Sequence, residues 1–245
     1  RSLVEKAFDS NYIAPIGPMV NRFEEEFSRY TGIPFCLALS SGTGAMHLAI
    51  RHLSQEKGPA ENTPVVLAST LTFIGSVTPA LFEGCEIRFV DSEECSWNMN
   101  PASLKAALLS CEKEHKQVLA VIPTDIYGQC CNLPELVQIA DDYSVPVICD
   151  SAEAMGATYD SEFGNVEADG KKLQHAGYGA WASVYSFNGN KIITTSGGGM
   201  LASHDKAFID HARKLSTQAR EPAPFYQHVE LGYNYRMSNI LAAIG

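Results

Sequence analysis

The feature that most constrains this chain is a succession of short, largely apolar runs separated by segments of helical period. Val65 to Ala68, Ile87 to Val90, Val118 to Ile122, Val145 to Cys149 and Ala182 to Phe187 are such runs, and Gly199 to Ala202 is a further candidate. They lack steady polar alternation, which predicts strands covered on both faces. Between them, Val20 to Tyr30 places Phe23, Phe27 and Tyr30 at i, i+4 and i+7, with Glu24, Glu25 and Glu26 largely outward. Gly44 to Leu53 stripes Met46, Ala49, Ile50 and Leu53 along one face. Pro101 to Cys111 opens on a proline suited to a first turn and stripes Leu104, Ala107 and Leu108. Leu133 to Tyr143 and Lys206 to Leu215 read the same way. Alternating strands and helices predict an α/β fold with a mostly parallel sheet. No internal repeat interrupts the pattern. The polar stretch Tyr159 to Gln174 reads as an exposed loop, with Asp160, Glu162, Glu167, Asp169, Lys171 and Lys172 as solvated surface charges.

The chain has 245 residues, enough for one large domain or two small ones. Eighteen basic against twenty-eight acidic residues leave a formal charge of −10, a poor basis for wrapping nucleic acid. No run of about 18 apolar residues occurs, so no transmembrane helix is expected. The seven cysteines, at 36, 85, 95, 111, 130, 131 and 149, form no CxxC pair and show no zinc spacing. They read as reduced packing residues, and no metal site is expected. The opening Arg1-Ser2-Leu3-Val4 has neither an apolar signal region nor an initiator Met, which suggests a trimmed, cytoplasmic chain.

Four segments at strand ends or junctions can carry chemistry. Ser40-Ser41-Gly42-Thr43-Gly44 precedes a helix, where small residues and a helix N-terminus suit an anion. Asp150 ends an apolar strand, where ligands of α/β sheets gather. Lys191 follows a buried strand within Ser186-Phe187-Asn188-Gly189-Asn190-Lys191. Thr194-Thr195-Ser196-Gly197-Gly198-Gly199 leaves backbone open for close approach. Each also has a plain structural reading: a helix cap for the first two, a surface charge for Lys191 and a turn for the glycines. Together they describe a site for pyridoxal 5′-phosphate. Lys191 suits the aldehyde and Asp150 the pyridine nitrogen. Ser186 with the Gly42-Thr43 turn suits the phosphate, and Phe73 suits the ring face. A Walker loop, a dinucleotide GxGxxG and a hydrolase GxSxG are absent.

The residues resemble the DegT/DnrJ/EryC1/StrS family of sugar aminotransferases over essentially the whole chain. Asn11 to Pro18 resembles the family's opening motif. Ser41-Gly42-Thr43 with Ala45 to Ala49 resembles its phosphate turn and helix. Asp125 to Gln129, Asp150 to Ala154 and Ser186 to Thr195 follow in order, and Gly232 to Ser238 resembles a late motif.

The resemblance implies a three-layer α/β/α, fold type I large domain. Residues 1–245 would form this cofactor-binding domain with an N-terminal arm, and a smaller C-terminal domain would lie beyond it. It implies Lys191 as the catalytic lysine, and Gly42, Thr43, Phe73, Asp150, Glu153, Ser186 and Asn234 as further cofactor-binding residues. Asn234 would reach the neighbouring subunit's cofactor in a homodimer with shared sites; read alone, it could instead cap the final helix. Glu153 departs from the Gln or His that much of the family carries there. Sister dehydratases carry His at the position of Lys191, so the lysine implies transamination. The nearest branch aminates C4 of UDP-linked 4-keto-6-deoxy-N-acetylhexosamines for bacterial surface glycans. Its partners would be a nucleotide-linked keto sugar and an amino-acid donor, by resemblance L-glutamate. A non-catalytic protein that kept the cofactor fold is the alternative.

Overall fold

Each apolar run contains a strand in the computed structural model, which describes residues 1–245 except 59–61, 162, 163, 165 and 169, and the side chains of 166–168. In chain order the elements are α1 (Ser2–Asp9), α2 (Pro18–Thr31), β1 (Phe35–Leu39), α3 (Gly42–Lys57), β2 (Val65–Ser69), α4 (Ile74–Phe82), β3 (Glu86–Val90), α5 (Pro101–Lys113), β4 (Val118–Ile122), α6 (Leu133–Asp141), β5 (Ile148–Asp150), β6 (Thr158–Asp160), β7 (Val166–Ala168), β8 (Lys171–His175), β9 (Ala182–Ser186), β10 (Gly199–Ser203), α7 (Lys206–Leu215) and α8 (Asn239–Ile244).

Strands β3, β2 and β4 pair in parallel, in that order. Parallel bridges Val121–Val147 and Thr124–Asp150 join this group to β5. Strand β5 pairs in parallel with β9, and β10 then runs antiparallel between β9 and β1. The sheet order is therefore β3-β2-β4-β5-β9-β10-β1, with β10 alone reversed.

Side chains alternate across this sheet. Val66, Ala68, Leu37 and Leu201 share one apolar cluster with α3, α4 and α7. Val65, Leu67 and Val121 face α5 and α6, while Cys36, Ala38 and Met200 face α2 and α8. The period of two along each strand thus builds helices on both faces, the three-layer arrangement.

The structure corrects several expectations. The stretch Tyr159 to Gln174 is not a plain loop: β6, β8 and β7 form a small antiparallel sheet. Its charged residues Asp160 and Lys171 are exposed and paired at 2.9 Å, so a solvated surface coexists with regular pairing. Glu162 and Asp169, and the side chain of Glu167, lie outside the described residues. Strand β3 is an edge strand, and its Phe89 is exposed rather than covered. Strand β5 begins at Ile148, three residues later than the apolar run: Pro146 has no N–H for the ladder, and Val147 pairs with Val121 only as an isolated bridge. All seven cysteines are free, five of them buried; Cys95 is exposed and Cys130 half-buried.

Candidate active site

The C-terminal ends of the parallel strands open onto one cavity of about 500 Å³, lined by Gly42, Thr43, Phe73, Asp150, Glu153, Ser186 and Lys191 among others. Seven of the eight residues expected from the sequence therefore meet in one place.

The cavity wall at the start of α3 is built by close backbone approach. Ser41 caps α3, its Oγ accepting the Gly44 N–H at 3.0 Å. The first N–H groups of a helix have no intrahelical partner, so this turn presents donors and the positive end of the dipole to the cavity. A Cβ on Gly42 would sit 3.3 Å from Ser186 Cβ and from the Tyr185 carbonyl. One on Gly199 would lie 2.4 Å from the Gly42 nitrogen. Gly199 is thus what lets β10 pass beneath the N-terminus of α3. A second helix start, that of α4, meets the first: a Cβ on Gly75 would lie 2.9 Å from Thr43 Oγ1. Phe73 stands at the N-cap of α4, 71% exposed, with its ring available at the cavity edge.

Asp150 is buried at the end of β5. Its Oδ1 accepts the Ala152 N–H at 3.1 Å, and its Oδ2 accepts the Ser76 hydroxyl in a short bond. Ser76 continues through Thr72 to Thr124, each step 2.8 Å. Burial pushes the Asp150 carboxyl above its ordinary value. The bonds from Ser76 and Ala152 and the charge of Lys191 pull the other way, and Asp125 adds to the rise. A buried acid held in this state is suited to a cationic ring N–H.

Lys191 lies in the loop after β9. Its Nζ donates to Glu153 Oε1 at 3.1 Å, and Glu153 Oε2 accepts the Tyr127 N–H at 3.0 Å. Tyr127 has a left-handed backbone (φ 51°) and an exposed ring at the cavity mouth. The loop is fastened by Phe187 N–H to the Gly198 carbonyl at 2.9 Å and Thr195 N–H to the Phe187 carbonyl at 3.0 Å.

Asn234 is the exception. It is exposed and does not line its own chain's cavity. Its backbone pairs with Thr217, while Ser238 caps α8, so Asn234 does not serve as that cap.

Sequence reasoning gave no role to Ser76, Thr72, Thr124, Gly75 or Tyr127. Tyr127 lies in the Asp125 to Gln129 motif and Thr72 directly precedes Phe73; Ser76 and Gly75 carry no local signal. Nor did spacing reveal that Asp125, Cys131 and Cys149 bring ligand atoms within 4.8 Å of one another. Those atoms are already occupied. Asp125 Oδ1 accepts the Cys131 N–H at 2.8 Å, and Oδ2 accepts the Ser151 hydroxyl at 2.6 Å.

The donor set fits pyridoxal 5′-phosphate: an amine, a buried acid, two helix N-termini with hydroxyls, and a free aromatic face. The comparisons agree. EpsN of Bacillus subtilis (strain 168), provisionally named a pyridoxal phosphate-dependent aminotransferase, is 45% identical over 99% of this chain and 58% of its own length. GDP-perosamine synthase of Caulobacter vibrioides is 34% identical over the whole chain and 60% of its own. The sugar aminotransferase CalS13 of Micromonospora echinospora superposes with a TM-score of 0.81 at 27% identity, over 100% of this chain and 63% of that one. The chain thus spans about three fifths of the length of these relatives. The cofactor of this family is pyridoxal 5′-phosphate. The family pattern matches residues 1–245, and the chain belongs to the DegT/DnrJ/EryC1/StrS aminotransferase family.

Proposed function

We propose that this chain is the cofactor-binding part of an aminotransferase that moves an amino group from an amino acid, L-glutamate by resemblance, to the 4-keto carbon of a nucleotide-linked 6-deoxy amino sugar. The reading places the reaction in the cytoplasm, on the way to a bacterial surface glycan. The observation that carries it is the convergence of Lys191 and Asp150 in one cavity with the N-termini of α3 and α4. The relatives' names support the substrate class: they include GDP-perosamine synthases and a Campylobacter jejuni UDP-4-amino-4,6-dideoxy-N-acetyl-beta-L-altrosamine transaminase, 33% identical over 94% of this chain.

Bound in the cavity, pyridoxal 5′-phosphate supplies an electron sink for a carbanion beside the amino group. The residues do the rest. Lys191 Nζ would hold the cofactor through its aldehyde carbon. Its amine would serve as general base and acid, taking the proton from the donor's α-carbon and returning one to C4 of the sugar. Asp150 would keep the ring nitrogen protonated. Gly42, Thr43 and Ser186 would hold the phosphate and so fix the position of the ring. Glu153 anchors the Lys191 amine. Asn234 contributes to the site of a second subunit, and the further length of the relatives supports a small C-terminal domain that closes over the substrate.

The test is an assay of 4-keto nucleotide sugars with glutamate, with products identified by NMR. A 4-amino sugar supports the reading. A protein that binds the cofactor yet transaminates no keto sugar would favour a non-catalytic role.

A further inference from the structure

We infer that the hydroxyls of Ser76, Thr72 and Thr124 form a reversible row of dipoles that positions Asp150 for the cofactor's ring nitrogen and sets how firmly that nitrogen keeps its proton. The inference rests on the pairing of Asp150 with the ring nitrogen given above. It is independent of the sugar and of the amino donor.

The row is assembled from three strand exits. Thr72 lies between β2 and α4, Ser76 in the first turn of α4, and Thr124 just past β4, where it bridges to Asp150 at the end of β5. Ser76 donates to Asp150 Oδ2. Ser76 Oγ lies 2.8 Å from Thr72 Oγ1, which lies 2.8 Å from Thr124 Oγ1. Ser76, Thr124 and Asp150 are buried, and Thr72 is half-buried. All four line the cavity.

Ordinary helix packing does not require this arrangement. A Ser or Thr hydroxyl near a helix commonly bonds to a nearby backbone group. Thr78 in the same helix does so: its Oγ1 donates to the Ile74 carbonyl at 2.8 Å. None of the three row hydroxyls donates to a backbone carbonyl among the described residues. They are engaged with one another and with the carboxyl.

A hydroxyl can both donate and accept, so the row can run in either direction. When Asp150 is a carboxylate facing a ring N–H, Thr124 donates to Thr72, Thr72 to Ser76 and Ser76 to Oδ2. Aligned bonds polarise one another, so the two remote hydroxyls strengthen the one that reaches the carboxylate. When Asp150 carries a proton on Oδ2, it donates to Ser76, Ser76 to Thr72 and Thr72 to Thr124. Only rotation of the hydroxyls separates the two states; the heavy atoms stay in place.

The direction of the effect follows from the groups around Asp150. Burial and Asp125 favour the neutral acid, whereas Ser76, the Ala152 N–H and Lys191 favour the carboxylate. Asp125 stands apart from the row, since its own oxygens accept the Cys131 N–H at 2.8 Å and the Ser151 hydroxyl at 2.6 Å. Without the Ser76 hydroxyl, Asp150 becomes the better base. The shared proton then shifts toward it, the ring nitrogen loses positive charge, and the electron sink weakens.

Nitrogen-15 NMR of the protein loaded with pyridoxal 5′-phosphate labelled at the ring nitrogen reads this proton directly. Ser76→Ala should move the ring signal toward neutral pyridine and weaken cofactor binding about tenfold, the loss expected for one bond to a charged group. Thr72→Val and Thr124→Val should move it the same way by successively smaller amounts. Ser76→Thr, which keeps a hydroxyl, should restore most of the parent position. Thr78→Val, which loses a hydroxyl outside the row, should leave the signal unchanged. An unmoved signal in Ser76→Ala would overturn the inference, and so would a shift equalled by Thr78→Val. A shift confined to Ser76→Ala would contradict a row of three. Asp150→Asn separates the two claims. An unmoved signal there removes the pairing itself, whereas a moved signal there with none in the three row variants removes the row alone.

Discussion

Glu153 holds Lys191 from a fixed point: one carboxylate oxygen lies 3.1 Å from Lys191 Nζ, and the other accepts the Tyr127 N–H at 3.0 Å. The turn beneath it has little freedom, because a Cβ on Gly128 would lie 3.0 Å from the Glu153 carbonyl and φ there is 85°. Glu153 is therefore a positioning residue for the amine. Glu153→Ala should lower kcat about 10- to 100-fold through misplacement of Lys191, with an unchanged far-UV spectrum. Glu153→Gln should fall between the two, since one amide oxygen cannot serve both donors. Unaltered turnover in Glu153→Ala would remove this role.

Asp150 gives a prediction of pH dependence. Burial, opposed by Ser76, Ala152 and Lys191, leaves its carboxyl above the ordinary value. The folded chain then holds this proton more tightly than the unfolded chain does. Stability is present below the unfolded value of about 3.9 and is lost as pH rises through the folded one. Without cofactor, Asp150→Asn should melt at a higher temperature than the parent at pH 7, and the difference should shrink toward pH 4. With cofactor the order should reverse, because an amide cannot balance the ring N–H. Thermal unfolding at both pH values checks the sign.

Gly75 and Gly197 make a matched pair. Gly75→Ala would force a Cβ to 2.9 Å from Thr43 Oγ1 and 3.1 Å from the Phe73 ring. It should raise the cofactor's Kd about tenfold while costing roughly 1–3 kcal/mol of stability. A Cβ on Gly197 meets nothing within 4 Å, so Gly197→Ala should stay within about 0.5 kcal/mol. Cofactor titration and denaturant unfolding of both variants separate a cradle from a general packing effect.

The proposed sharing of sites between subunits predicts complementation. Lys191→Ala and Asn234→Ala should each be inactive alone. Mixed and allowed to exchange subunits, they should recover activity in the hybrid site that has both residues intact. No recovery despite proven exchange would leave Asn234 without a cross-subunit role.

Much of the site was legible because its parts sit where strands end. Asp150, Lys191 and the Ser41–Gly44 turn each follow an apolar run, so topology alone sends them to one edge of the sheet. Helix α4 was not legible. It is apolar over most of its surface and contains Gly75 and Pro79, so it shows neither a polar face nor good helix propensity. With it went Ser76, whose hydroxyl reaches Asp150 from 74 positions away. The strands at 158–175 were hidden by charge, since exposed Lys171 and Asp160 carry no apolar period although their backbones pair. Asn234 could be read as a motif member, but that its side chain avoids its own cavity is a matter of tertiary structure.

The central claim is that Lys191 is the amine that holds the cofactor. Borohydride reduction of the protein loaded with pyridoxal 5′-phosphate, followed by peptide mapping, measures this directly. The account predicts a single stable label on Lys191, absent from Lys191→Ala. A label on Lys171, Lys172 or any other lysine, with Lys191 unmodified, would contradict it.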